Sequence, residues 1–321
     1  MPSSRFILCL SLSVVFVAYY WLNYTKKGPV YESKKHLNGK TVLITGGNAG
    51  IGKATALELA KKGARVVIAS RNMKKSETVV DDIIKETGNK KIRSMHLDLA
   101  DFDSVKTFTK EFDESEQYLD YLINNAGMLT ATGKAPSGVN KLFAINHFGP
   151  FLLTNLLLPK MKTQSKSRPV RILNLSSGIY KWGVITRGNM YKNVTSSWDM
   201  YEVYAATKIA NIFFTSKLND ILSDYDITTY AINPGFIDSE LENNFTDFFQ
   251  VLVKINAVLF KRSIFYGCQT TLYCALDDEV TLESGHYFSN CQGEELNARA
   301  TNKTEEKLLW EISAKITGLK I

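Results

Sequence analysis

One run of glycines, Thr45-Gly-Gly-Asn-Ala-Gly-Ile-Gly52, limits what this chain can fold into. It follows the apolar residues Val42, Leu43 and Ile44 and leads into a helix-like stretch, Ala54 to Lys62. A strand that turns through glycines into a helix is a place for a pyrophosphate. Gly46 permits the tight turn. Gly50 and Gly52 let the backbone approach phosphates and let the helix pack on a sheet. The helix N-terminus adds unpaired N–H groups and the positive end of a dipole. The spacing Gly46-x-x-x-Gly50-x-Gly52 departs from the Gly-x-Gly-x-x-Gly dinucleotide fingerprint, so close packing alone is the competing explanation.

From Lys40 onward short apolar runs alternate with helical stretches, the mark of βαβ units and a parallel sheet. Strands are expected at 41–45, 65–70, 92–97, 121–124, 170–176, 228–233 and 286–289. Helices are expected near 76–86, 104–112, 139–161, 203–222, 272–276 and 305–316. The expected fold class is α/β: one Rossmann-type, doubly wound parallel sheet with its ligand crevice at the carboxyl ends of the strands. The 321 residues suffice for one such domain of ~250 residues plus an appendage. We divide the chain into an N-terminal anchor and flank (1–27), a linker (28–38) and a catalytic domain (39–321).

The appendage is Phe6 to Leu22, an apolar run at the short end of the ~20 residues that span a bilayer as a helix. Tyr19, Tyr20, Trp21 and Tyr24 form an aromatic collar suited to the membrane–water interface. A cleaved signal peptide is the competing reading, but no small-x-small cleavage site follows the run. Lys26, Lys27, Lys34 and Lys35 outweigh Arg5 and the amino terminus, which puts the folded domain on the cytosolic side. Four cysteines, Cys9, Cys268, Cys274 and Cys291, make no disulfide framework and agree with a reducing compartment. Asn-x-Ser/Thr triplets at Asn23, Asn174, Asn193, Asn244 and Asn302 point the other way, and they matter only in a lumenal setting. The net charge of +7 comes without clustering or a nucleic-acid-binding motif, so no nucleic-acid partner is expected. No metal site is expected, and a homo-oligomer cannot be read from the residues.

Several strand ends carry residues suited to chemistry. Ser70-Arg71 closes the second strand, where an acidic residue would select NAD; a guanidinium and a hydroxyl there suit a 2′-phosphate, hence NADP(H). Asp98, after the third strand, is placed to reach an adenine amino group or else to cap a helix. Asn124-Asn125-Ala126-Gly127 ends the fourth strand with small residues that let backbone pass under a nicotinamide ribose, though alone it is only a turn signal. Tyr204 and Lys208, at i and i+4, share one helix face. A neighbouring ammonium and an oxidised nicotinamide ring would lower the phenol's pKa from ~10 and make Tyr204 a workable proton donor or acceptor. Tyr31 and Lys35 match the same spacing but precede the first strand, so position singles out Tyr204. Ser176 and Ser177 end the fifth strand, and either hydroxyl could hold a substrate oxygen. Asn146 is a poor helix former in mid-helix, and is read either as a polar kink holding a water beside Lys208 or as a solvent-facing side chain. Pro234-Gly235 ends the sixth strand, and Ser239 follows closely enough to meet a nicotinamide amide.

Taken together and in this order, these residues resemble the short-chain dehydrogenase/reductase family from about Leu37 to the end. The match runs through Thr45-Gly-x-x-x-Gly-x-Gly52, Asn124-Asn-Ala-Gly127, Asn146, Ser177, Tyr204-x-x-x-Lys208 and Pro234-Gly235. Gly50-Ile-Gly-Lys53, Ser70-Arg71, Lys208-Ile-Ala-Asn211, Asn233-Pro-Gly-Phe-Ile-Asp-Ser-Glu240 and Ser284-Gly-His-Tyr-Phe-Ser-Asn290 are similar to its membrane-anchored retinol dehydrogenase branch. The resemblance implies that Tyr204 is the acid/base, Lys208 and Asn146 a proton relay, and Ser177 the holder of the substrate oxygen. It further implies that Asn48, Ile51 and Leu99 join Gly46, Gly50, Gly52, Ser70, Arg71, Asp98, Asn125, Ala126, Gly127, Pro234, Gly235 and Ser239 around NADP(H). Ile179 to Glu202 is an insertion between serine and tyrosine that this branch shares, and it leaves Ser176 in contention with Ser177.

The expected activity is NADP(H)-dependent interconversion of a hydrophobic alcohol and its aldehyde or ketone, with retinol and retinal foremost. Steroid, lipid-derived or xenobiotic carbonyls are the alternative substrates, and a nucleotide-binding membrane scaffold or sensor is the alternative without turnover. The very apolar stretch Phe248 to Phe260 is read as a cover for a lipid partitioned into the bilayer, against a buried helix or dimer contact. The anchor and the resemblance together imply an endoplasmic reticulum membrane.

Overall fold

A computed structural model describes residues 27–237 and 261–320. The apolar run Phe6–Leu22, Ser239 and the stretch Phe248–Phe260 lie outside the described residues. Eight strands form one sheet in the order β3-β2-β1-β4-β5-β6-β7-β8. They are β1 (Thr41–Thr45), β2 (Arg65–Ser70), β3 (Ile92–His96), β4 (Tyr121–Asn124), β5 (Val170–Leu175), β6 (Ile227–Asn233), β7 (Tyr287–Ser289) and β8 (Gln292–Gly293). All neighbours pair in parallel except β7 with β8. Leu43 registers with Val67 on one side and with Leu122 on the other. β8 was not foreseen: two exposed residues that turn back on β7 carry no apolar alternation to read.

Helices cover both faces, which is why the central strands are apolar at successive positions rather than alternate ones. One face packs on α1 (Gly50–Lys61), α2 (Met73–Thr87) and, near the far edge, α6 (Gln269–Leu276). Val42 and Ile44 meet Ala56, Leu59, Val79 and Leu272 in that layer. The other face packs on α3 (Phe102–Ser115), α4 (Lys141–Ser165), α5 (Ser197–Ile221) and the C-terminal α7 (Lys303–Thr317). Leu43 there joins Val67, Phe108, Phe151 and Phe214. Among the described helices α4 alone is long and apolar enough to cross a bilayer, and most of it is buried in this layer as a core helix.

The elements end where local chemistry ends them. Asn72, Asp101 and Asn302 cap α2, α3 and α7 through their side chains, and Gly88 and Gly318 close α2 and α7 in the left-handed conformation. Asp101, not Asp98, is thus the cap of α3. The stretch 28–38 lies against the domain: the Tyr31 N–H donates to Gln269 Oε1 at 2.9 Å, and Leu37 is fully buried. The chain leaves β3 for β4 across the sheet, so β1 and β4 run side by side with their connections departing to opposite faces. A crevice opens at that reversal, beyond the carboxyl ends of the strands. Cys268, Cys274 and Cys291 are free thiols.

Candidate active site

The glycine run turns from β1 into α1 at this crevice. Gly46 and Gly50 take φ of +67° and +50°, a region that β-carbons disfavour. A Cβ on Gly52 would lie 2.4 Å from both Asn125 Nδ2 and the Gly46 carbonyl oxygen. A Cβ on Gly50 would meet nothing within 4 Å, because that residue faces the crevice. α1 begins at Ala49 with no side-chain cap and no acidic residue in its first turn. Its first N–H groups are therefore available to an anion. The crevice holds about 500 Å³ and runs from Arg71 to Lys208. Its uncapped helix end and open glycine cradle fit the phosphates of a dinucleotide.

At one end, Asn48 Nδ2 donates to Ser70 Oγ at 2.8 Å, and Ser70 Oγ shares a 2.5 Å hydrogen bond with Ser76 Oγ. Ser70 is buried in this network, while Arg71 is exposed on the crevice wall with no ion-pair partner among the described residues. Asp98 lines the crevice next to Leu99, and its Oδ1 accepts from the Ala100 N–H at 2.9 Å.

The end of β4 is tied to the glycine turn. Asn125 Nδ2 donates to the Thr45 carbonyl, and the Ala126 N–H donates to Thr45 Oγ1 at 3.0 Å. Gly127 follows, at the point where two other groups converge. A Cβ there would lie 3.5 Å from Lys208 Nζ and 3.6 Å from Asn146 Oδ1. Asn146 sits in a π-helical turn, Ala144–Phe148, inside α4, and is 1% exposed. π-turns of this kind are frequent at functional sites. Its Oδ1 accepts from the Met128 N–H at 2.8 Å; its Nδ2 donates to the Met128 carbonyl at 2.9 Å and to Thr207 Oγ1 at 3.2 Å. The solvent-facing reading of Asn146 is therefore excluded. Gly149, which follows the turn, passes close to Leu99, whose carbonyl oxygen would be 2.3 Å from any Cβ there.

α5 delivers Tyr204 and Lys208. Its Ser196 cap starts the helix at Ser197, ahead of the expected Val203, so the end of the insertion is its first turn and a half. Tyr204 is partly buried on the crevice wall, and Lys208 Nζ lies 5.2 Å from its ring centre. Lys208 is 4% exposed and donates to the Leu175 carbonyl at 3.2 Å. Burial lowers its pKa to about 8. Burial, with a smaller effect from Tyr201, raises that of the Tyr204 phenol above its ordinary value, while a hydrogen bond with Ser177 lowers it. In the chain by itself burial thus favours the protonated phenol, and the lowering expected from the sequence depends on an oxidised nicotinamide as well as on Lys208. The two serines separate cleanly. Ser176 is 2% exposed and its Oγ donates to the Lys208 carbonyl at 2.8 Å, which binds β5 to α5. Ser177, past the end of β5, keeps a partly exposed hydroxyl beside Tyr204. Pro234 lines the same crevice; Gly235, at φ +86°, donates its N–H to Asn233 Oδ1 at 3.0 Å.

Three contributors were given no site role in the sequence. Thr45 receives Ala126, Thr207 receives Asn146, and Asn211 donates to the Leu175 carbonyl at 3.0 Å beside Lys208. Thr207 and Asn211 follow Tyr204 at i+3 and i+7, on the same helix face, which was the available signal.

Residues 40–248 match the model of the family described as short chain dehydrogenase. Dehydrogenase/reductase SDR family member 13 of Bos taurus is 38% identical, over 97% of this chain and 82% of the relative. Retinol dehydrogenase 11 of Homo sapiens is 39% identical, over 91% of this chain and 90% of its own. A crystal structure of an uncharacterized protein from Mycobacterium Paratuberculosis superposes with a TM-score of 0.70 at 27% identity, covering 91% of this chain and 98% of that one.

Proposed function

Because the chain belongs to the short-chain dehydrogenase family and is an oxidoreductase of the short-chain type, we propose that it interconverts retinol and retinal with NADP(H). The observation that carries the chemistry is the convergence of Lys208 Nζ and Asn146 on Gly127, beside Tyr204 and Ser177. NADP(H) is favoured by Arg71, a guanidinium on the crevice wall with no ion-pair partner among the described residues, where an acidic residue would serve NAD. A retinoid is favoured by the 39% identity to retinol dehydrogenase 11.

A nicotinamide held in this crevice would supply or take up the hydride. The residues of the chain do the rest. Ser177 holds the carbonyl oxygen against Tyr204. The protonated Tyr204 phenol gives that oxygen a proton as the alcohol forms, and the Ser177 hydrogen bond and the nearby Lys208 ammonium favour the phenolate left behind. Lys208 and Gly127 hold the ribose, and Asn146 fixes the backbone of residue 128 and the α5 wall. Glycines 46, 50 and 52 with the end of α1 hold the phosphates. In the cell the domain faces the cytosol from a single-pass anchor at Phe6–Leu22 in the endoplasmic reticulum membrane, where a lipid substrate dissolves.

The test is turnover by membranes carrying the full chain, with all-trans-retinal, a steroid ketone and a lipid-derived aldehyde, each with NADPH and NADH. This reading expects retinal with NADPH to rank first. Retinal at the bottom, or a preference for NADH, would overturn the substrate or the cofactor assignment respectively.

A further inference from the structure

His147 follows Asn146 in the π-turn and faces away from the crevice, yet it joins the crevice to the C-terminal helix. Its ring is 1% exposed, with the rings of Phe148, Phe151 and Phe214 centred 5.2, 6.1 and 6.1 Å away. Apolar packing alone would call for another phenylalanine there. Instead both nitrogens are used: Nδ1 lies 3.3 Å from Asn211 Oδ1, and Nε2 lies 2.9 Å from Ser313 Oγ on α7. Asn211 Nδ2 in turn donates to the Leu175 carbonyl at 3.0 Å, the oxygen that also receives Lys208 Nζ at 3.2 Å.

The donors and acceptors give this chain of bonds a direction. The amide nitrogen of Asn211 faces Leu175, so its oxygen faces His147 and needs an N–H there. Nδ1 therefore carries the proton, and bare Nε2 accepts from the Ser313 hydroxyl. The ring is neutral: burial lowers its pKa to about 4. Of the ionisable groups on the packed helices, Glu306 of α7 lines the same pocket as His147 and pairs with Lys303 at 3.2 Å, Lys303 also pairs with Asp220 of α5 at 3.0 Å, and Lys208 lies beyond Asn211.

We propose that His147 is a positioning residue for the reaction: its Nδ1–H locks the Asn211 amide, and the locked amide leaves Lys208 directed at the Leu175 carbonyl and the crevice. The inference rests on the reading of Lys208 as a working member of the site. Without the lock, the Asn211 amide turns over and offers its oxygen to the buried ammonium. A buried cation gains from such an acceptor, so Lys208 is drawn from the crevice and its pKa rises.

The experiment uses the full chain in membranes, with aldehyde and NADPH, and reads kcat, the pH profile of kcat/KM and the thermal midpoint. His147→Phe keeps the packing and removes both nitrogens. It is expected to lower kcat about tenfold and to move the alkaline apparent pKa up by about one unit, the scale on which one hydrogen bond moves a buried charge. His147→Asn, with an amide nitrogen where Nδ1 stood, should restore most of the rate and the wild-type profile. Asn211→Asp leaves the aromatic pocket untouched and gives Lys208 the competing acceptor directly, so it should raise the same pKa even if His147→Phe fails to fold. Wild-type pH profiles in His147→Phe and Asn211→Asp, with only thermal midpoints lowered, would overturn the proposal. Full turnover by Lys208→Ala would instead sink the reading of the site on which it rests.

Discussion

The side-chain amide of Asn125, at the end of β4, donates to the carbonyl oxygen of Thr45, at the end of β1, at 2.8 Å. This bond closes the two lips of the crevice at the point where the sheet reverses its order, and it leaves no room beside it. Gly52 occupies that space, and a Cβ there would be 2.4 Å from the same Asn125 nitrogen. Gly52→Ala must therefore push the two strand ends apart. We expect a stability loss of about 1–3 kcal/mol, the usual cost of overpacking, together with a weakening of NADPH binding of about tenfold or more. Denaturant unfolding and a cofactor titration read the two effects; binding of wild-type strength would mean that the turn does not hold phosphates.

Arg71 is expected to bear on cofactor choice, because it stands exposed on the crevice wall with no ion-pair partner among the described residues. Arg71→Glu should shift the NADPH:NADH ratio of kcat/KM toward NADH by about 10–100-fold, the worth of a charge-assisted hydrogen bond of about 1.5–3 kcal/mol. A ratio that stays put would remove the arginine from the cofactor site.

Adjacent serines should part company on mutation. Ser177→Ala takes away the hydroxyl beside Tyr204 and should lower kcat by about 10–100-fold, a typical range for one polar group acting in a transition state. Ser176→Ala removes a buried bond to the Lys208 carbonyl and should cost about 1 kcal/mol of stability with a much smaller change in rate. Steady-state kinetics paired with unfolding curves separate the two, and equal losses of rate would contradict the division.

Lys208 also leaves a signature in stability against pH. Its pKa is about 8 in the fold, against 10.5 ordinarily, so between these values the unfolded chain binds the proton that the fold has released. Stability from this group must rise as pH climbs from about 8 to 10.5, by up to about 3 kcal/mol in the cofactor-free protein. Lys208→Met should flatten that rise in denaturant midpoints taken across the range. A rise of full size in the variant would assign it to another group.

The sheet was legible because parallel strands buried on both faces write themselves as apolar runs, and β1 to β6 fall within a residue of expectation. The glycine turn was legible for the same local reason: a sharp backbone bend beside a helix start admits few residue types. Two parts of the site were not. Asn146 sits in a π-turn followed by a close approach of Gly149 to Leu99, features that no helical periodicity encodes. The burial of the Tyr204 phenol comes from tertiary packing, whereas its neighbour Lys208 was visible at i+4. Ser176 and Ser177 are alike in sequence, and only the end of β5 at Leu175 turns one inward and leaves the other beside the phenol.

The most direct measurement is single-turnover reduction of all-trans-retinal by NADPH-saturated enzyme, comparing wild type with Tyr204→Phe. The account predicts that the mutant binds NADPH as the wild type does and transfers hydride slower by about 10²–10⁴-fold, the contribution of a positioned general acid. A mutant that binds the cofactor and reduces retinal at nearly the wild-type rate would contradict it, and the proton donor would have to be sought elsewhere.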